Sequence, residues 1–135
     1  MAQPLSVFQV AGRAMSAQLV RMNTTASNLA NAGGTAGSAD AAYKTMKPVF
    51  RTSFDAASGM STVDVERIVT AGEAPTKRYD PSNPMADKDG NIFEAAVDES
   101  RELVDMMESS RTYQNNVEVM NTAKSLIIDT LKLGR

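Results

Sequence analysis

The side chains best placed to do chemistry are carboxylates, and they gather in one stretch: Asp98, Glu99, Glu102 and Asp105. A pair of acids can act as general acid and base when an apolar pocket keeps one of them protonated. Here Asp98, Glu102 and Asp105 share one face of a predicted helix at a spacing suited to solvent, and no apolar pocket is implied nearby in sequence. Without any His or Cys, the chain has no imidazole base, thiol nucleophile, thiolate metal ligand or disulfide. No Lys follows a Ser by three residues, which removes the serine–lysine arrangement. Asp87-Lys88-Asp89-Gly90 has the look of a calcium loop, but Gly90 at the sixth position puts Met85 first and Ala96 twelfth, where oxygen ligands are needed. A β-turn with Gly90 at positive φ accounts for it better. Gly33-Gly34-Thr35 follows a helix rather than a strand, the wrong order for a phosphate cradle. Asn23-Thr24-Thr25 is a glycosylation sequon lying inside a helical pattern. The expectation is a protein that is not an enzyme and takes no cofactor, metal, nucleic acid or small-molecule substrate.

What positions these residues is a pair of long helical patterns, one at each end. Leu5, Phe8, Gly12, Met15, Leu19, Met22, Ala26 and Leu29 recur at alternating spacings of three and four, a heptad row interrupted in character only by Gly12. Pro4 suits a first helical turn, and Gly33-Gly34 ends the run. Leu103, Met106, Ser110, Tyr113, Val117, Met120, Lys124, Ile127 and Leu131 repeat the pattern, and Val119, Ala123, Leu126 and Leu133 widen it. Asp98 is placed as an N-cap, Glu99 and Glu102 suit the first-turn dipole, and Gly134 suits the helix end. The methionines on both rows, Met15, Met22, Met106 and Met120, pack adaptably against varied neighbours.

The middle reads differently. Residues 33–42 are small and Gly-rich, the composition of a flexible loop. Residues 48–54 and 62–70 hold short β-like runs, 73–84 with their prolines read as irregular or extended, and 87–93 as a turn into one more strand. The predicted fold is therefore mainly α with a small β element: N- and C-terminal helices packing as a coiled-coil pair around a short β-hairpin-containing segment. It divides into 1–32, 33–97 and 98–135.

Composition agrees with extended helices more than with a deep core. Aromatics make up 5% of the 135 residues and Trp is absent, although large rings usually dominate core burial. The net charge of −2 gives no pull towards nucleic acid. Residues 1–39 carry Arg13 and Arg21 and no acid, whereas 94–108 carry six acids against Arg101, so the two ends can attract each other. No cleavable signal peptide and no membrane-spanning stretch is visible; leaving the cytoplasm would require another route.

Three stretches resemble the flagellar rod and hook family of axial proteins. Ala26-Ser27-Asn28-Leu29-Ala30-Asn31-Ala32 is similar to that family's Asn-Leu/Ile-Ala-Asn helix ending. Asn83-Pro84-Met85-Ala86-Asp87-Lys88-Asp89-Gly90 resembles a segment of a proximal-rod member. The stretch from Ser110 to Thr122 (SRTYQNNVEVMNT) resembles the family's C-terminal helix. The resemblance implies a structural subunit of the basal-body rod in the periplasmic space, exported through the flagellar channel. It would polymerise with copies of itself and other rod proteins, with inner-membrane ring components as further partners. Leu5, Phe8, Met15, Leu19, Met22, Ala26 and Leu29 against Met106, Tyr113, Val117, Met120, Ile127 and Leu131 form the expected assembly seam. A self-contained helical adaptor or export chaperone is the alternative the same helices allow.

Overall fold

In the computed structural model, residues 6–134 are described. Helix α1 spans Val7–Ala30. It starts at Ser6, whose hydroxyl accepts from the Gln9 N–H (3.3 Å) while the Gln9 side chain accepts from the Ser6 N–H (2.9 Å), a reciprocal capping box. Pro4 and Leu5 lie outside the described residues. Helix α2 spans Glu99–Leu133, 35 residues against 24 in α1. Asp98 caps it by accepting from the Arg101 N–H (3.1 Å), with Glu99 and Glu102 in the first turn and Lys132 in the last.

The two helices run antiparallel, with Asn28 at the end of α1 bonded to Glu102 near the start of α2. Between them lie five strands: β1 (Thr35–Ala36), β2 (Met46–Asp55), β3 (Met60–Thr70), β4 (Thr76–Tyr79) and β5 (Asn91–Glu94). β2 and β3 form a two-stranded hairpin from Met46 opposite Thr70 to Asp55 opposite Met60. Its register slips between Val49 and Phe50, leaving Glu66 as the extra residue on β3. The other strands make an antiparallel sheet in the order β1-β5-β4, centred on the fully buried Ile92.

The fold class differs from the expectation of a mainly α coiled-coil pair with a small β element. Helix accounts for 46% and strand for 24% of the described residues, in two antiparallel sheets, so the fold is α+β. The β content was underestimated for local reasons. The prolines of residues 73–84 gave an irregular or extended reading, yet Thr76–Tyr79 forms β4, while β2 runs two residues ahead of the run read from Pro48. Residues 33–42 look like a loop, yet Ala36 and Ala42 are buried and β1 pairs with β5. The helix pair departs from an apolar coiled coil too. The residues it buries fully are Ala11, Ala17, Thr24, Thr25 and Asn28 on α1 and Glu102 and Ser109 on α2, which are small or polar.

The turn at Asp87–Asn91 matches its reading. Gly90 has φ +77, and the Asp87 carboxylate accepts from the N–H groups of Asp89 (2.9 Å) and Asn91 (2.8 Å). A Cβ on Gly90 would stand 2.9 Å from a ring carbon of Tyr79 and 3.1 Å from Pro81. Gly12, by contrast, is helical with open space where a Cβ would go. In thermal melts of the isolated chain followed by circular dichroism, Gly90→Ala should destabilise by about 1–3 kcal/mol. Gly12→Ala should stabilise by about 0.5–1 kcal/mol.

Candidate assembly surface

At about 100° per residue, the row α1 buries (Ala11, Ala17, Thr24, Thr25, Asn28) and its apolar row (Phe8, Met15, Leu19, Met22, Ala26, Leu29) lie roughly a third of a turn apart. The apolar row therefore lies to one side of the packed face and overlaps it where Leu29 shares the direction of Ala11. Leu19 and Ala26 are exposed, and Phe8, Met15, Met22 and Leu29 are half-buried; Leu5 lies outside the described residues. On α2, Met106, Tyr113, Val117 and Met120 share the face of Glu102 and Ser109 and are half-buried, whereas Ile127 and Leu131 are exposed. The described seam residues are not brought together into one closed apolar seam, and none of them is fully buried. Beyond Val7, the described start of α1, the end of α2 projects with Leu126, Ile127, Ile128, Leu131 and Leu133 exposed. Val7 and Val119, Ala123 and Leu126 line a groove of about 400 Å³ at that end.

The faces are held in place at the opposite end by one buried amide. Asn28 has 0% exposure. Its Nδ2 donates to the Met46 carbonyl (2.9 Å) and to Glu102 Oε2 (2.9 Å), and its Oδ1 accepts from the Met46 N–H (2.9 Å) and the Tyr43 hydroxyl (2.8 Å). α1, the start of β2 and α2 thus meet in four hydrogen bonds from one side chain. Lys47 then donates to Glu102 (2.7 Å) and Asp105 (2.9 Å), and Arg21 pairs with Asp105 and Glu108 (3.1 Å each).

The other motif residues are local fasteners. Ser27 lies 3.1 Å from the Tyr43 hydroxyl. Leu29 is half-buried, Ala30 ends the helix, and Asn31 caps it while its side chain donates to the Ser27 carbonyl (2.8 Å). Asn83 accepts from the Met85 N–H (2.9 Å), with Pro84 exposed beside it.

Glu102 corrects the reading of the acidic stretch as a solvent-spaced face, since it is 2% exposed. Helix position alone cannot reveal a cation arriving from a distant strand. The lone signal was charge asymmetry between the two ends, and the Arg21 pairs express it. Lys47 gained nothing from its sequence neighbours and was missed. Among the described residues no cluster of acids is arranged to hold a metal ion.

Burial opposes the charge on Lys47, but the hydrogen bonds to Glu102 and Asp105 outweigh it and hold the ammonium above its ordinary 10.5. Asp105 is held below its ordinary 3.8, first by the Lys47 hydrogen bond and further by Arg21, against a smaller opposing effect of burial.

Residues 8–37 match the family described as "Flagella basal body rod protein", and residues 89–133 match "Flagellar basal body rod FlgEFG protein C-terminal". The flagellar basal-body rod protein FlgC of Salmonella typhimurium is 43% identical over 133 residues, covering 97% of this chain and 98% of its own. FlgC of Yersinia enterocolitica is 38% identical over 131 residues, covering 97% and 98%. FlgC of Buchnera aphidicola subsp. Schizaphis graminum is 37% identical over 132, covering 96% and 97%. The chain belongs to the FlgC family of flagellar basal-body rod proteins. As a FlgC-family member it is a structural subunit of the basal-body rod and not an enzyme, which speaks against the adaptor or chaperone alternative. Both family matches fall on the helical ends, and the first contains the Asn28 clamp.

Two outcomes follow from the clamp. Asn28→Leu keeps the branched shape with added bulk but strands Glu102 Oε2 and both Met46 backbone groups, and should cost about 2–5 kcal/mol in denaturant unfolding. Tyr43→Phe removes one donor and should cost about 1 kcal/mol. In urea midpoints against pH, stability from the lowered Asp105 is fully present above the ordinary carboxylate value and is lost as pH falls through its depressed one. Stability from Lys47 is present below 10.5 and is lost as pH rises through its raised value. Lys47→Met should make both limbs shallower.

Proposed function

We infer that this subunit builds the wall of the proximal rod by head-to-tail contacts through the outward apolar row of α1 and the projecting end of α2. The observation that carries this reading is how little the single chain buries. Ile92 is the one large apolar side chain fully buried among the described residues. The accessible surface is 9110 Å², about a third more than the roughly 6800 Å² of a globular monomer of this mass. The excess, about 2300 Å² on one chain, is several times the ~800 Å² that one partner contributes to a standard interface, as suits a subunit with more than one neighbour. Contacts between unlike patches that do not close into a ring propagate a helical filament.

In this reading the partners are copies of the chain and other flagellar rod proteins, and inner-membrane ring components are further candidates. Residues 1–32 and 98–135 supply the assembly helices, and 33–97 brace neighbours from outside. The subunit reaches its place through the flagellar channel, and the finished tube transmits torque and passes later export substrates. No helix among the described residues is long and apolar enough to cross a membrane, and membrane insertion forms no part of the mechanism.

Leu19→Asp and Ile127→Asp test the contact surfaces separately. Both side chains are exposed in the single chain, at 44% and 49%, so each variant should stay folded and soluble by circular dichroism. Assembly would bury an unpaired charge at a cost of several kcal/mol per copy. Basal bodies extracted from either strain should show rings without rods under the electron microscope, with no spreading in soft agar. Normal rods and normal swimming in both strains would sink the reading.

A further inference from the structure

The β2–β3 hairpin carries its charge on the side turned to the helices. Lys47 reaches Glu102 and Asp105 on α2, and Asp64 meets Arg13 on α1. By the alternation of the strands, Arg51, opposite Asp64, and Arg67, opposite Val49, belong to the same face. Glu66, the extra residue of the bulge, pairs with Arg67 (3.3 Å). The other face presents Pro48, Phe50 and Phe54 on β2 and Val63, Val65 and Ile68 on β3, with no charged residue among its members. Phe54 is 67% exposed, Ile68 49% and Phe50 38%. An antiparallel ribbon with one wet side ordinarily puts its polar residues there; this one is inverted. Contiguous apolar surface left in water marks a place where another molecule binds.

Whatever covers this face must itself be free of unpaired charge, because burying one is costly. Most of the apolar surfaces among the described residues fail that requirement. On α2, Val104 and Met107 stand beside Glu108 and Arg111, and Val119 and Leu126 beside Glu118. The exposed end of α2 holds Lys124, Asp129 and Lys132 among its leucines and isoleucines. α1 has two charged residues, Arg13 and Arg21, and acids on β3 and α2 draw both of them aside. Its row of Phe8, Met15, Leu19 and Met22 is left without charge. The dimensions agree as well. Pro48 to Phe54 spans about 20 Å at ~3.3 Å per residue of strand, and Phe8 to Met22 about 21 Å at ~1.5 Å per residue of helix.

Within one chain these two surfaces cannot meet. At ~100° per residue, Arg13 and Asn28, which bond the hairpin, point on average about half a turn away from that row. The uncharged face of the hairpin therefore looks out on one side of the molecule and the α1 row on the other. We propose that the uncharged face of the β2–β3 hairpin docks on the apolar row of α1 in a second copy of this chain. Such a contact joins unlike patches on opposite sides, so each added copy leaves one of each free and the stack continues. The assignment rests on the polymerisation reading and adds to it what covers the α1 row.

Basal bodies assembled with the photoreactive p-benzoylphenylalanine in place of Phe54 test the contact directly. Irradiation should give an adduct of twice the subunit mass, with the cross-linked peptide inside α1 (Val7–Ala30) of a second copy. An adduct that maps to α2 of this chain, one that maps only to a different rod protein, or no adduct from intact basal bodies would overturn the proposal. Phe54→Lys/Ile68→Lys should leave the isolated chain folded by circular dichroism and abolish rods and swimming, whereas Phe54→Leu/Ile68→Val should retain both. Normal rods from the lysine pair would overturn it equally, and if that pair does not fold the adduct map decides. Where Leu19→Asp and Ile127→Asp block rods but the lysine pair builds them, the hairpin assignment alone fails. Normal rods from all three variants remove the polymerisation reading with it.

Discussion

The carboxamide of Asn28 is the point through which the helices and the hairpin are joined. It satisfies both backbone groups of Met46 at the start of β2, holds Tyr43 and reaches Glu102 on α2. A buried amide with all its partners in place rigidifies its surroundings, and the same low dielectric makes each missing partner costly. Glu102 can be buried because Asn28 and Lys47 satisfy its two oxygens. Lys47 reaches that position because Met46, its neighbour, is clamped. The cluster is cooperative: fixing the amide fixes the strand, the strand delivers the cation, and the cation permits the buried acid.

Placing polar and small side chains between the helices has a cost in hydrophobic stabilisation, which scales with apolar area removed from water. What is gained is large apolar side chains left half-buried or exposed, Leu19 on α1 and Leu126, Ile127, Leu131 and Leu133 on α2 among the exposed. A helix presents a limited circumference, and on α1 Asn28, Thr24 and Thr25 occupy the inward arc. Leu19 and its row are left roughly a third of a turn away. A subunit that closed its apolar stripe internally would be more stable alone and would have less to offer a neighbour. Marginal folded stability is common, and here the missing burial and the exposed apolar surface are the same residues.

Much of this was legible in the sequence, and the part that was not has a consistent cause. The helical ends, the Asp98 cap, the turn at Gly90 and the exclusion of catalysis follow from local pattern and residue chemistry, which involve neighbours a few positions apart. The motif at Asn28 was visible as a resemblance, but its role was not, because its partners Tyr43, Met46 and Glu102 are supplied by three other segments. The burial of Glu102 was misread because helical periodicity describes a face and not what covers it. The extent of β structure was underestimated where β1 pairs only two residues with β5 and where β4 lies among the prolines of residues 73–84. Strand pairing is non-local, and the alternation it needs is weak on a hairpin whose residues are mostly half-exposed.

The hairpin contributes to the same economy of structure. A two-stranded ribbon is marginal in water by itself, and this one is held against α1 by the Met46 clamp at its base and by the Arg13–Asp64 pair (3.2 Å) further along. The second of these is exposed and worth little, and the burial of Thr62 near the tip seats the far end of the ribbon. Burial falls off along α2 from Glu102 to the projecting Leu133, whereas the hairpin keeps Thr62, close to its tip, buried. The end of α2 furthest from the clamp, which buries least in the single chain, is left free to adjust to a neighbour, while the clamped end keeps the relative placement of all three elements. A structural subunit needs both: a fixed internal geometry that repeats from copy to copy, and surfaces whose final order comes from the neighbours that cover them.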